Sequence, residues 1–352
     1  MGIFSKMQGD GYEQVIFCQD QTVGLSAIIV LHDTTLGPAL GGVRMWPYNT
    51  EDEALHDVMG LARGMTYKNA LAGLELGGAK AVIIGDAKCK SKELLKSFAR
   101  FVDRLQGRYV TAVDVGINSD DIEVIREETK YVVGVREGTG NPSPLTAYGV
   151  YQGMLAGVEQ VLGSTSLQGL RVAVQGMGHV AESLSELLVR DGAEVTVTDL
   201  DAEKLKLAKE KFNATIVEPD AIYSQPCDIF APCALGGVIN STTVDLLRCK
   251  LVAGAANTQL AEKKYAEVLV KKGIVALPDY VINAGGAIAV ALERCGTYCQ
   301  EHAKQKVAGI YNTTNQILRQ ALEEKISPYL VADRMVETMI ANKKAEKLPA
   351  SF

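Results

Sequence analysis

Two lysines and an aspartate stand in settings that suit proton chemistry. Lys68 lies in Gly64-Met-Thr-Tyr-Lys68-Asn69, and Lys80 in Leu76-Gly-Gly-Ala-Lys80. Small or apolar residues flank both, whereas most lysines sit among polar neighbours in water. A lysine in apolar surroundings gives up its proton more easily and can act as a base near neutral pH. The same strings also fit two solvated lysines. Asp114, in Thr111-Ala-Val-Asp114-Val-Gly116, is the third isolated ionisable group. It reads either as an acid/base or as a turn residue bonding its own backbone.

A second constellation suits a phosphate. Gln175-Gly176-Met-Gly178-His179-Val180-Ala181 follows the apolar strand Arg171–Gln175 and opens a helix, giving G-x-G-x-x-A. Gly176 permits the tight turn, Gly178 lets backbone reach a pyrophosphate, and Ala181 allows close helix–strand packing. Free N–H groups at the helix start then face the anion. Asp199 ends the next strand, 23 residues after Gly176, near the spacing at which a carboxylate meets the adenosine ribose. Such an acid repels a 2′-phosphate, which favours NAD over NADP. Asp199 also fits as a cap for the helix starting near Ala202. The four histidines (His32, His56, His179, His302) are isolated. Cys295 and Cys299, at i, i+4, could share a helix face, but two ligands make no metal site.

These residues need rigid elements to hold them. The first part of the chain reads as α/β. Strands are expected at 27–31, 81–84 and 109–111, with a helix through Leu94, Phe98 and Leu105. A second helix is capped by Thr50 in a capping box with Glu53. From about Thr146 the pattern alternates regularly. A helix at 148–162 precedes strands at 171–175, 194–198, 215–217, 228–231, 251–253 and 274–276, with helices at 180–190 and 202–212. Alternation of this kind implies a parallel, doubly wound sheet. The segment from Ala287 on is largely helical, interrupted by Pro328.

Composition excludes several classes. The 352 residues are 47 % hydrophobic and 22 % charged, which rules out a disordered chain. A net charge of −6 without basic runs argues against nucleic acid or an anionic membrane as partner. No apolar run is long enough to span a bilayer, and residues 1–14 lack the apolar core of a signal peptide. Seven scattered cysteines, an odd number, read as reduced thiols of a cytoplasmic protein. The 34 glycines, nearly one residue in ten, exceed the usual ~7 % and mark turns or close backbone approaches.

Longer strings carry a resemblance. His32-Asp-Thr-Thr-Leu-Gly-Pro-Ala-Leu-Gly-Gly42, Arg44-Met-Trp-Pro-Tyr48, Arg63-Gly-Met-Thr-Tyr-Lys-Asn-Ala70, Leu76-Gly-Gly-Ala-Lys80, Gly140-Asn-Pro-Ser-Pro144, Asp228-Ile-Phe-Ala-Pro-Cys-Ala-Leu-Gly236 and Pro278-Asp-Tyr-Val-Ile-Asn-Ala-Gly-Gly286 run through most of the chain. With them the sequence resembles the Glu/Leu/Phe/Val amino-acid dehydrogenase family, and most of all its leucine dehydrogenases. The resemblance implies an N-terminal α/β substrate and oligomerisation domain (1–134) and a Rossmann-like NAD-binding domain (135–327). A cleft would separate them, with a C-terminal helix, about 328–352, packing back on the first domain. It further implies a homo-oligomer such as an octamer.

The implied reaction is reversible NAD-dependent oxidative deamination of a branched-chain L-amino acid to the 2-oxo acid and ammonium. Carried over by motif, Lys68 would pair with the substrate carboxylate. Lys80 would be the low-pKa base that activates water and stabilises the carbinolamine, and Asp114 would move protons to and from the amino group. Leu40, Gly41, Met65, Ala112, Ala287 and Val290 would line the side-chain pocket; none carries a charge that could bind a second carboxylate. Thr146 and Asn257 would lie near the nicotinamide, with Gly176, Gly178, His179, Val180 and Asp199 holding the rest of the cofactor. Ala287 stands where leucine dehydrogenases carry valine, which keeps an aromatic substrate (phenylalanine or tryptophan) as an alternative. Other departures are Ala79 for a glycine, Val113 for a polar residue, Ile117-Asn118 for Thr-Thr, Thr258 for asparagine and His179 for asparagine. A positive φ at Ala79 would cost about 1–2 kcal/mol and displace Lys80. A relative with weakened catalysis, serving as a binding or structural protein, is the alternative from another class.

Overall fold

The computed structural model describes residues 2–135 and 138–347, arranged as two compact units. The first comprises Met1–Gly140, Ala289–Tyr298 and Val336–Phe352; the second comprises Asn141–Ile288 and Cys299–Met335.

The first unit holds strands β1 (Gln14–Asp20), β2 (Leu25–Asp33), β3 (Ala39–Leu40), β4 (Val43–Trp46), β5 (Gly77–Ile84) and β6 (Tyr109–Val110). They form one mixed sheet ordered β1-β2-β5-β3-β6, with β4 also on β5. β1 and β2, and β2 and β5, run antiparallel, while β3, β4 and β6 join in parallel. Helices α1 (Ile3–Asp10), α2 (Glu51–Leu71), α3 (Lys92–Asp103) and α4 (Ser119–Arg126) complete it. Both sheet faces are covered, which explains why β2 reads as a continuous apolar run. Ile29, Leu31, Ala81 and Ile83 pack with Leu94, Phe98 and Val102 of α3. Ile28, Val30 and Val82 pack with Ala54, Val58 and Ala62 of α2. Strand alternation therefore puts Lys80, two residues before Val82, on the α2 face.

The second unit is built on β7 (Arg171–Gln175), β8 (Glu194–Thr198), β9 (Thr215–Ile216), β10 (Ile229–Pro232), β11 (Leu251–Val252) and β12 (Val275–Ala276). The order is β9-β8-β7-β10-β11-β12, all parallel. This is the doubly wound arrangement, with its topological switch between β7 and β10. Its helices are α5 (Ser143–Leu162), α6 (His179–Arg190), α7 (Ala202–Phe212), α8 (Lys264–Lys271) and α9 (Asp279–Ile282). Along the rest of the chain follow α10 (Gly285–Arg294), α11 (Gln300–Ala308), α12 (Ile310–Glu324) and α13 (Pro328–Lys347).

Several expectations need correction. Thr50 does accept from Glu53 N, but the Glu53 carboxylate turns back to Asn49 N, so the capping box is not closed. The break expected at Pro328 is present: α12 ends at Glu324 and Pro328 opens α13, since proline suits the first turn, where no N–H partner is needed. Cys295 lies just beyond α10 and Cys299 caps α11, so they share no helix face. The second domain does not run unbroken to residue 327. Residues 289–298 belong to the first unit, because Val290 and Ala291 enter a buried cluster with Leu40, Leu76, Val110, Ala112 and Val133. Glu293 reinforces this by accepting from the backbone N–H groups of Gly134, Val135 and Thr139. The expected C-terminal helix is real to Lys347; its last residues, 348–352, lie outside those described. Its distal half belongs to the first unit, where Lys344 pairs with buried Asp33 at 3.1 Å and Lys347 donates to Thr35 O.

Candidate active site

Close packing of α2 on β5 shapes the first-unit site. A Cβ on Gly78 would lie 2.0 Å from Thr66 N, so only glycine lets the strand pass beneath the helix there. Asn69 then donates to Gly77 O at 2.7 Å. Lys68, half-buried, follows Thr66 by two residues on α2, and Lys80 follows Gly78 by two on β5.

The segment 39–46 runs between β5 and residues 109–115. Ala39 and Leu40 pair with Gly77 and Gly78, and Val43 with Ala81, so the register sets Gly41 and Gly42 across from Ala79 and Lys80. On its other side Val43 N bonds Ala112 O, and Met45 N bonds Val115 O. Arg44 therefore stands between β5 and the segment carrying Asp114. A Cβ on Gly41 would strike Ala79 O at 1.7 Å, and one on Gly42 would strike Val113 O at 2.5 Å. The glycine pair is what allows three chain segments to meet here.

Three charged side chains converge as a result. Lys80 Nζ and Arg44 Nε each lie 3.0 Å from Asp114 Oδ2. Arg44 Nη1 reaches Asp57 Oδ2 on α2 at 2.9 Å, and Tyr48 Oη donates to the same oxygen at 2.5 Å. Burial alone would raise the Asp114 carboxyl, but the Lys80 and Arg44 charges outweigh it and hold the group at about 2. Asp114 is thus no mere turn residue. Its backbone makes the turn, with Ile117 N bonding Asp114 O, while its side chain enters the charged cluster. Lys80 is only 6 % exposed, yet a carboxylate faces it, so its surroundings are not simply apolar. Ala79 has no positive φ; it is an extended strand residue, fully buried in the core, so the feared strain is absent.

Beside this cluster stands an apolar wall. Leu40, Ala112 and Val290 share one buried cluster, and Met65 Cγ would be 3.3 Å from a Cβ on Gly41. Five of the six expected pocket residues thus belong to the first unit, while Ala287 belongs to the second.

In the second unit the glycine turn leaves β7 at the switch point. Gly176 has φ 91° and packs so closely on Ala234, after β10, that a Cβ would approach within 2.6 Å. Gly178 has open space before it and begins α6 without a side-chain cap. His179 is exposed and Val180 half-buried in the first turn. Asp199 Oδ2 accepts from Met177 N at 2.7 Å and Oδ1 from Asp201 N at 2.9 Å. Burial would raise this carboxyl, but its bonds to backbone N–H groups keep it below the usual range. Asp199 therefore ties the glycine turn to the end of β8 and does not cap α7; that is Asp201, which accepts from Glu203 N. Uncapped N–H groups, open space and a fixed carboxylate fit a dinucleotide's pyrophosphate and ribose.

Farther along the same sheet edge, Asn257 lies in the loop after β11, with its Oδ1 accepting from Asn283 at 2.9 Å. Thr146, in the first turn of α5, sits against Gly286, whose Cβ would come 3.0 Å from Thr146 Oγ1. The neighbouring Thr258 adopts φ 54°, unusual for a β-branched residue, and donates its N–H to Asp279 Oδ2 at 2.8 Å. Sequence reasoning missed Arg44, Tyr48, Asp57 and Asn283. Arg44 alone carried a signal: a cation inside an apolar strand needs an acid partner.

Residues 12–131 match the family model described as Glu/Leu/Phe/Val dehydrogenase, dimerisation domain. Residues 138–345 match Glutamate/Leucine/Phenylalanine/Valine dehydrogenase. The chain is 52 % identical to leucine dehydrogenase of Thermoactinomyces intermedius, covering 97 % of this chain and 94 % of that one. It is 46 % identical to valine dehydrogenase of Streptomyces albus, covering 98 % and 96 %. The crystal structure of L-tryptophan dehydrogenase from Nostoc punctiforme superposes with a TM-score of 0.85 at 44 % identity, covering 97 % and 100 %.

Proposed function

The chain belongs to the Glu/Leu/Phe/Val dehydrogenase family, and from that premise we propose how its residues divide the work of an NAD-dependent oxidative deamination. The protein is an amino-acid dehydrogenase, an oxidoreductase acting on the CH–NH2 group of branched-chain L-amino acids. An L-amino acid, NAD+ and water become a 2-oxo acid, ammonium, NADH and a proton. The dinucleotide, when bound, accepts the hydride from the substrate α-carbon.

The remaining work falls to side chains of the first unit. Lys68 takes the substrate carboxylate. Lys80, in its neutral form, accepts a proton from the attacking water and, as the ammonium so formed, stabilises the carbinolamine. Asp114 exchanges protons with the substrate amino group. The observation that carries this division is the Lys80–Asp114 contact of 3.0 Å beside the apolar wall of Leu40, Ala112 and Val290. That wall, with Gly41, Met65 and Ala287, receives an aliphatic side chain and offers a second carboxylate no cation. An aromatic substrate is the second reading, favoured by the small Ala287.

NAD is the proposed dinucleotide. Supporting it, Gly176 makes the tight turn with φ 91°, Gly178 leaves open space for the pyrophosphate, and the N–H groups of His179 and Val180 open an uncapped helix. Asp199 offers the ribose a carboxylate that would repel a 2′-phosphate. Thr146 and Asn257 flank the nicotinamide in this reading. The first unit is the substrate and oligomerisation domain and the second the NAD-binding domain. A homo-oligomer, with an octamer as the form to test by light scattering, suits the edge strand β1 and its 60 % exposed Phe17. A cytoplasmic location suits seven free thiols. Lys80→Ala tests the division of labour. Turnover should fall by at least about 10²-fold while NAD affinity is unchanged; undiminished turnover would refute the role.

A further inference from the structure

Arg44 has no part in the chemistry described above, yet it occupies the centre of the charged cluster. Its side chain is 20 % exposed and lies between two carboxylates on different elements. Nε points to Asp114 Oδ2 and Nη1 to Asp57 Oδ2, and Asp57 is fixed in turn by α2 and by the Tyr48 hydroxyl. A guanidinium holds its donors in a rigid plane, so anchoring one end on Asp57 sets the direction of the other. Lys80 also approaches Oδ2, and among the described residues no hydrogen bond uses Asp114 Oδ1.

We propose that Arg44 is a positioning residue for proton transfer: with Lys80 it pins Asp114 Oδ2, and through Asp57 it fixes the carboxylate plane so that Oδ1 is presented to the substrate amino group. This rests on the reading of Asp114 as the proton carrier. The proton moves between the substrate nitrogen and Oδ1, breaking one N–H bond as one O–H bond forms, and Arg44 keeps its own protons throughout. The charged groups facing Asp114 are Lys80 from β5 and Arg44 from β4, with the phenol of Tyr109 on β6 also within its field. Arg44 itself faces Asp114, Asp57 and Tyr48. Removing the guanidinium charge therefore makes protonation of Asp114 easier as well as freeing the carboxylate to rotate.

The test compares steady-state kinetics with L-leucine and NAD across pH for the wild type, Arg44→Gln and Arg44→Lys. In Arg44→Gln, kcat falls by roughly tenfold or more while KM for leucine stays within about threefold. The acid limb of kcat/KM also moves to higher pH. Arg44→Lys, which keeps the charge but not the fork, returns the acid limb towards the wild-type position and recovers part of kcat. An unchanged kcat in Arg44→Gln overturns the proposal. So does a loss without movement of the acid limb, or an equal defect in Arg44→Lys. Should Arg44→Gln fail to fold, Asp57→Asn releases the far anchor; it should lower kcat in the same sense, and an unaltered kcat there would also overturn the role. A wild type without turnover would remove the premise itself, whereas an active wild type with unaffected variants defeats only the positioning role.

Discussion

Asp114 keeps its charge in the interior because two cations share one of its oxygens. Its carboxyl, usually near 3.8, stands at about 2 in the folded chain. The folded state thus binds fewer protons than the unfolded one across that interval. The stabilisation is complete above the unfolded value and disappears as pH falls through the folded one. Wild type should accordingly lose more stability than Asp114→Asn between about pH 4 and pH 2, read from urea midpoints at each pH; parallel declines would contradict the ion-pair account. The sequence pointed to Asp114 and Lys80 but not to their meeting, because apolar neighbours along the chain say nothing about a carboxylate arriving from another strand. Asp57 was hidden for the same reason, and Arg44 signalled only that it needs an acid partner, not which one. At Ala79 the reverse holds: a substitution that looked costly is harmless, since the position is an ordinary strand residue.

At the scale of elements, glycine contacts set how closely the pieces approach. A methyl group on Gly78 would overlap the Thr66 backbone, and neither α2 nor β5 can yield without moving a lysine. Gly78→Ala should destabilise the protein by about 3 kcal/mol or prevent folding, as thermal unfolding would report; a neutral effect would mean that the helix is not seated as described. Thr258 presents the opposite case. Its left-handed backbone costs a β-branched residue about 1–2 kcal/mol, whereas asparagine tolerates it. Thr258→Asn should raise the unfolding temperature without changing the fold, and a lowered one would count against strain at that turn. Elements with strong periodicity were legible: β7, β8 and α7 have the limits expected of them. β1 was missed because only Cys18 of its seven residues is fully buried, and β3 because two residues leave no pattern. α4 was missed too, although Asn118 and Asp121 form a complete capping box there. That box shows the Ile117-Asn118 departure to be locally well supported.

At the scale of the molecule, the two-unit α/β architecture was legible, as was the switch point of the parallel sheet. The discontinuity of the first unit was not, because the segment 289–298 returns to it through side-chain contacts that no local pattern announces. The glycine excess now has a physical reading. Gly41-Gly42 and Gly77-Gly78 bring three segments and a helix together around Lys80, while Gly176 and Gly178 shape the turn after β7. The protein is a branched-chain amino-acid dehydrogenase for which we propose NAD as the dinucleotide. That activity is tested most directly by kcat/KM for NADH formation across a panel of L-amino acids, with released ammonium measured alongside. Leucine, valine and isoleucine should lead, with one ammonium per NADH, and glutamate should be inert. A folded, NAD-binding protein that oxidises none of them, or that prefers tryptophan or phenylalanine, would contradict the account.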